Sequence, residues 1–197
     1  MRFVIMADGK ATRWQGHMGV SKHMVQIDGE PLIARTVRLL REIADEPYEI
    51  IITSHNQNYE FEGCKRYEPL DNNYEIDRFT EELIIDNMCF LYGDTYYTES
   101  ALKKILETQN GKEIIFFGNE KSIVAVKIGD GENFRFHKDK VKKSFINGEI
   151  ESCKGWQVYQ SLTGQNLKKA PIVDKNFILI DDKTTDINTP EDYDRLV

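Results

Sequence analysis

Cysteine is scarce and scattered in this sequence: Cys64, Cys89 and Cys153 are the only three in 197 residues. An odd count at wide spacing supplies neither a disulfide framework nor a zinc-ligand set, and it fits reduced, partly buried thiols of a cytoplasmic protein. Long apolar runs are missing as well. Nothing approaches the ~20 consecutive apolar residues that cross a bilayer, and the amino terminus enters a strand without the charged and apolar regions of a signal peptide. Positive charge is not in excess either. The 26 Lys and Arg stand against 33 Asp and Glu, a formal net charge of −7, which argues against a nucleic-acid binder, whose affinity needs a basic face. Repeats, low-complexity tracts and linkers are absent, so a single domain over residues 1–197 is expected, long enough to bury a sizeable core. A hydrophobic fraction of 40% beside 30% charged residues fits a soluble globular chain rather than a disordered one.

What is present begins with a short apolar run, Phe3-Val4-Ile5-Met6, that ends in the small and polar residues Ala7, Asp8, Gly9, Lys10, Ala11 and Thr12. This reads as a buried strand entering a loop. A short extended piece over Met24–Ile27, a turn at Asp28-Gly29 and a helix opened by Pro31 follow, with apolar residues at helical spacing from Leu32 to about residue 45. Further strands are expected at Glu49–Thr53, Met88–Tyr92, Glu113–Gly118, Ile123–Ile128 and Asn176–Ile180. Helices are expected near Asp77–Leu83, Ser100–Glu107, Trp156–Leu162 and Pro190–Val197. Residues 54–75 read as a polar loop and the basic run Lys138–Lys143 as a solvated face. Strand and helix in succession favour an α/β single domain with a mostly parallel, mixed sheet between helical layers.

Three stretches carry residue types suited to phosphate chemistry. The loop after the first strand exposes backbone N–H groups, and Arg13 and Lys22 add positive charge where anionic oxygens would sit. It is neither a GxxxxGK[ST] phosphate loop nor a GxGxxG dinucleotide fingerprint. The Gly93-Asp94 pair places a carboxylate at the end of a buried strand, where open α/β sheets bind ligands; an ordinary turn carboxylate would look the same. The segment Asp186-Ile187-Asn188-Thr189-Pro190-Glu191-Asp192 contains a helix N-cap at Thr189, a first-position proline and a capping-box Asp192. Asp186 stands outside that cap. Two separated aspartates with Arg and Lys suit a Mg²⁺–triphosphate site, since Mg²⁺ takes one or two carboxylates plus phosphate oxygens and water.

Taken together, the three stretches resemble the nucleotidyltransferase family with the glycosyltransferase-A-like fold. That family includes sugar-phosphate nucleotidylyltransferases, methylerythritol-phosphate and phosphocholine cytidylyltransferases, and molybdenum cofactor guanylyltransferase. Its loop of the type LAAGxGTR is similar to Met6–Arg13, its later PK to Ser21-Lys22, its strand-end GD to Gly93-Asp94, and its D-I-N/D-T-P-E-D element to Asp186–Asp192. The resemblance spans nearly the whole chain. It implies a Rossmann-like three-layer α/β/α sandwich, with residues 1–130 serving the nucleotide and 131–197 supplying the acceptor site and the second metal aspartate. It also implies Arg13 and Lys22 as the catalytic cations, and Ala7, Asp8, Gly9, Lys10, Ala11, Thr12 and Asn72 along the nucleotide. Asp94 and Asp186 would be the Mg²⁺ ligands.

The implied reaction moves a nucleoside monophosphate from a nucleoside triphosphate, CTP favoured, to a phosphorylated small-molecule acceptor, as in surface-polysaccharide biosynthesis. For the acceptor, Glu151, Lys154 and Trp156 are the candidates, and Tyr96, Tyr97, Trp156 and Tyr159 would suit a cage for a quaternary ammonium. The same aromatics would equally serve the core or a homodimer surface. Three residues depart from the family pattern: Asp8 for a small residue, Ala11 for a glycine and Ser21 for proline. Asp8 brings negative charge beside the expected triphosphate, and Ala11 is expected to avoid positive φ. Such departures are what a non-catalytic nucleotide sensor would also show. A nucleotide-sugar-using glycosyltransferase is the other alternative, disfavoured because Asp94-Thr95-Tyr96 lacks an Asp-x-Asp element.

Overall fold

The computed structural model describes all residues 1–197. Strand β1 (Arg2–Met6) is followed by the two-residue pair β2 (Gln26–Ile27) and β3 (Glu30–Pro31), then helix α1 (Leu32–Ile43), β4 (Glu49–Thr53) and β5 (Lys65–Tyr67). The chain continues through β6 (Met88–Tyr92), β7 (Thr95–Tyr96), α2 (Glu99–Glu107), β8 (Ile114–Gly118) and β9 (Ile123–Ile128). Helices α3 (Gly131–Ile146) and α4 (Gly155–Leu162), strands β10 (Phe177–Leu179) and β11 (Thr185–Asp186), and helix α5 (Pro190–Asp194) complete it.

Seven strands form one sheet in the order β10-β8-β9-β6-β1-β4-β5. Only β9 runs against its neighbours β6 and β8; the other adjacent pairs are parallel. The sheet is covered on both faces, which is why its strands read as unbroken apolar runs instead of alternating ones. Phe3, Ile5, Cys89, Leu91, Ile115 and Phe117 turn toward α1 and α2. Val4, Met6, Phe90, Phe116 and Val126 turn the other way, onto Phe134 and Val141 of α3 and Val158 and Tyr159 of α4. Fully burying one such side chain contributes about 1.5–3 kcal/mol.

The order of strands positions the site. After β1 the chain builds outward through β4 and β5, then returns to the other side of β1 with β6. This reversal leaves a crevice at the carboxyl ends of β1 and β6, where α/β sheets take ligands. Met6 is in register with Tyr92, so Ala7 and Gly93 emerge side by side.

Four local expectations are corrected. The segment at 77–83 is two tight 3₁₀ turns, Glu75–Arg78 and Glu81–Leu83, rather than one helix. Residues 65–67 within the expected loop form an edge strand beside β4. The last helix ends at Asp194. The basic run lies within α3, a 16-residue helix, and is a solvated face only in part: Lys140 and Lys143 are exposed, whereas Lys138 is buried, bonding Glu81 and the Phe79 carbonyl (3.3 Å), and Lys142 reaches Asp77 at 2.6 Å. Lys138 and Lys142 fasten α3 to the two turns, and burial with a partner is cheaper for lysine than burial without.

Candidate active site

The loop leaving β1 is held at both ends. The Ala7 N–H donates to the Thr53 carbonyl (3.0 Å) and the Gly93 N–H to the Met6 carbonyl (3.0 Å). Gly93 has to be glycine, because a Cβ there would lie 2.7 Å from the Met6 oxygen. At the far end Trp14 is buried with Val25, Ile27, Leu32 and Ile187, and its indole N–H donates to the Val20 carbonyl at 2.8 Å.

Each departure from the family pattern meets a specific environment. The Asp8 carboxylate accepts the His55 backbone N–H (3.0 Å), pairs with His55 Nδ1 (2.6 Å) and accepts from Asn72 Nδ2 (2.8 Å). Asn72 also donates to the Asp8 carbonyl at 2.9 Å, so it clamps the loop. Ser21 has φ −69° and ψ 152°, a conformation proline would also hold, and its hydroxyl bonds the Tyr59 phenol. The expectation for Ala11 is overturned: its φ is +47°, in the left-handed region. Ala11 packs beside the Trp14 cluster and its carbonyl accepts the Trp14 N–H (3.0 Å), contacts that hold a conformation costing an alanine ~1–2 kcal/mol.

Beyond the loop lies a cavity of about 450 Å³. Ala11, Thr12 and Arg13 line one side of it, with Lys22, Asp94, Asp186 and Asn188 at its base. Glu75 and Arg78 come from the first 3₁₀ turn, Lys121 and Ser122 from the β8–β9 hairpin, and Lys154 and Trp156 from the start of α4. Of the residues expected from the sequence, Ala7, Asp8, Gly9, Lys10 and Asn72 do not line this cavity, and Glu151 is exposed outside it. The quaternary-ammonium cage is not formed. Tyr97 and Tyr159 are fully buried on opposite faces of the sheet, and Tyr96 carries the Arg35 guanidinium over its ring at 4.4 Å. Trp156 alone reaches the cavity, with its ring stacked on Phe177 at 5.5 Å.

Lys22 and Asp94 form a buried ion pair. Burial alone would raise the Asp94 carboxyl, but Lys22, His23 and Arg78 outweigh it and hold the group below the usual carboxylate range. The Lys22 ammonium also approaches Asn188 Oδ1 at 3.5 Å, and the Asn188 amide donates to Asp186. A polar chain thus runs Asp94–Lys22–Asn188–Asp186. Strand β11 pairs antiparallel with β7, placing Asp186 opposite Thr95, and the Ile187 N–H donates to the Asp94 carbonyl at 2.7 Å. These bonds bring two aspartates that are far apart in sequence to one place.

No group of three or more His, Cys, Asp or Glu side chains is arranged to cage a metal ion. Of the three carboxylates lining the cavity, Glu75, Asp94 and Asp186, the two aspartates are joined through Lys22 and Asn188; as hard oxygen donors they suit a cation that draws its remaining ligands from phosphate and water, which is the habit of Mg²⁺. Arg78, Lys121 and Asn188 are site residues the sequence reading missed. Asn188 had a local signal, standing two positions after Asp186; Arg78 and Lys121 reach the cavity only through the fold.

No protein-family model matches the sequence, and no curated protein matches it. Solved structures do match in fold. One is CTP:phosphocholine cytidylyltransferase from Streptococcus pneumoniae, 15% identical with a TM-score of 0.57, over 99% of this chain and 96% of that one. Another is the inositol-1-phosphate CTP transferase from T. maritima, 14% identical, TM-score 0.57, over 97% and 90%. A Mycobacterium tuberculosis protein solved in complex with manganese is 14% identical, TM-score 0.59, over 99% and 96%. The fold of this chain is the fold of these proteins, the two cytidylyl-transferring enzymes among them.

Proposed function

We propose that the protein is a nucleotidyltransferase that transfers a nucleoside monophosphate, CMP favoured, from a nucleoside triphosphate to a phosphorylated small-molecule acceptor. The observation that carries this reading is the convergence of Arg13, Lys22, Asp94 and Asp186 on one cavity at the crevice of the sheet. An acceptor phosphate oxygen attacks the α-phosphorus in line. The new P–O bond forms as the bond to the bridging oxygen breaks, and pyrophosphate leaves with that electron pair. Arg13 and Lys22 stabilise charge building on the phosphates. Asp94 and Asp186 would hold Mg²⁺, which when bound neutralises and orients the triphosphate. No covalent intermediate on the protein is needed, because positioning and electrostatics supply the catalysis.

Two CTP-using enzymes among the structural neighbours support CTP as donor. Lys154 and Trp156 remain the proposed acceptor contacts, and Glu151 is left out of them because it stands outside the cavity. A surface-polysaccharide pathway is the proposed setting. Partners for Asp8 and Ser21 within the fold weigh against the sensor reading, since both departures are accommodated without filling the cavity.

The test is pyrophosphate release with Mg²⁺, offering CTP, UTP, GTP and ATP in turn against phosphorylated acceptors that include phosphocholine and inositol 1-phosphate. Release is expected with one nucleotide and one acceptor class. Lys22→Ala should lower turnover roughly 100-fold or more while circular dichroism stays that of the folded protein. Wild-type turnover in folded Lys22→Ala protein would refute the assignment.

A further inference from the structure

Arg78 is not used in the scheme above, yet it occupies an unusual position. Its guanidinium is half-buried and lines the cavity, and no carboxylate of the chain pairs with it. The other interior cations of this region are matched: Lys22 with Asp94, Lys138 with Glu81 and Lys142 with Asp77. A guanidinium that faces the cavity with no carboxylate within ion-pair distance keeps its fork of donors free for a bound anion. The nearest loop residue says where that anion would be. A Cβ on Gly9 would lie 3.2 Å from both Cζ and Nη2 of Arg78, so the guanidinium rests on the bare backbone of the loop at that point. The absence of a side chain at position 9 is what admits it.

The turn that carries Arg78 is also rigidly held. Asp77 accepts the N–H groups of Asn73 (3.1 Å) and Tyr74 (2.9 Å) and pairs with Lys142 of α3 at 2.6 Å. Glu81, beyond the turn, pairs with Lys138 and with Arg135 (2.7 Å). A cation positioned in advance binds without the entropy loss of ordering a free side chain.

We propose that Arg78 is a third phosphate-contacting cation of the nucleotide site, acting with Arg13 and Lys22 on the triphosphate, and that Gly9 is the residue that lets it reach the loop. This rests on the reading of the cavity as a nucleoside-triphosphate site, and the experiment separates the two. Calorimetric titration with Mg²⁺ and each of the four triphosphates first identifies the nucleotide that binds wild-type protein. The corresponding diphosphate, monophosphate and nucleoside are then titrated into wild type, Arg78→Ala, Arg78→Lys, Gly9→Ala and the Gly9→Ala/Arg78→Ala double variant.

Arg78→Ala should weaken the triphosphate about 10- to 100-fold, as expected for losing a charge-assisted hydrogen bond, with a smaller loss for the monophosphate and none for the nucleoside. Arg78→Lys should recover part of the loss, since a point charge remains without the fork of donors. Gly9→Ala should weaken the triphosphate only while Arg78 is present. Wild-type triphosphate affinity in Arg78→Ala overturns the inference and leaves the nucleotide site standing. So does a loss equal across all four ligands. No wild-type affinity for any triphosphate overturns the nucleotide site, and the inference falls with it. Should Arg78→Ala fail to fold, the Arg78→Lys and Gly9→Ala titrations decide between the same outcomes.

Discussion

Lys22 and His23 are adjacent and both buried, 6% and 3% exposed, but the fold treats them oppositely. Lys22 has a carboxylate partner in Asp94. His23 shares its Nδ1 with the Tyr59 hydroxyl at 3.1 Å, and burial, reinforced by Lys22 and Arg78 and opposed by Asp94 and Asp8, lowers it from 6.5 to about 4. A histidine whose folded value is depressed stays neutral in the native state while the unfolded chain takes up a proton. Its stabilisation is therefore complete above pH ~6.5 and is lost as pH falls toward about 4, on the order of 3 kcal/mol in all. Asp94, held below the usual carboxylate range, adds stability that disappears only at still lower pH. Urea midpoints measured from pH 7 to pH 4 should fall for wild type and fall much less for His23→Gln. Equal slopes would mean His23 is not the group responsible. Arg13, Lys22, Asp94 and Asp186 were legible in the sequence because each sits in a short local pattern: the loop after the first strand for the two cations, a strand end for Asp94 and the residues before a cap for Asp186. Arg78 was not: its neighbours Asp77, Phe79 and Thr80 face the interior, and the local spacing predicts an ordinary helix there. The clamp on Asp8 was equally hidden, since His55 and Asn72 are 47 and 64 positions away.

Helix α2 illustrates what one buried side chain does for an element. Its carboxyl end is closed by Lys127 of β9. The ammonium donates to the carbonyls of Ile105 (3.1 Å), Leu106 (2.6 Å) and Thr108 (2.8 Å). A cation at this end also complements the negative end of the helix dipole. Lys127→Met keeps the length of the side chain but strands those carbonyls, and should cost roughly 2–4 kcal/mol in chemical denaturation, with nucleotide binding unchanged at temperatures where the variant is folded. Most elements were readable from apolar spacing, the central strands best, because two covered faces demand continuous hydrophobicity. Helix α3 was readable only as a basic run. It buries Phe134, Lys138 and Val141, and a lysine on the inner face breaks the apolar stripe by which an amphipathic helix is recognised. Strand β5, Lys-Arg-Tyr at the sheet edge, has no apolar run at all.

At the scale of the whole molecule, the sheet reversal beside β1 places a cation-rich crevice on a chain of net charge −7. Local charge, not the total, sets what binds there. A ligand that occupies only the native crevice stabilises the fold by mass action, about 2.7 kcal/mol at a hundred times its Kd. In a protein of this size that corresponds to a rise in Tm of roughly 5–10 °C. The bound triphosphate with Mg²⁺ should produce this shift in a thermal melt, and chelating the metal with EDTA should remove most of it. An unchanged Tm at saturating nucleotide would contradict the proposed site.

One further consequence follows from how β11 is attached. Lys22 meets Asn188, 166 positions later, and Trp14 is enclosed by Ile187 and faces Tyr193 edge-on at 6.3 Å. Neither β11 nor α5 belongs to the seven-stranded sheet. During synthesis on the ribosome the sheet can therefore close before the crevice is complete. A nascent chain stopped after β10 would hold all seven strands but would lack Asp186 and Asn188 and leave Trp14 without its Ile187 cover. The proposed site is thus completed by residues 186–188, which lie outside the seven-stranded sheet.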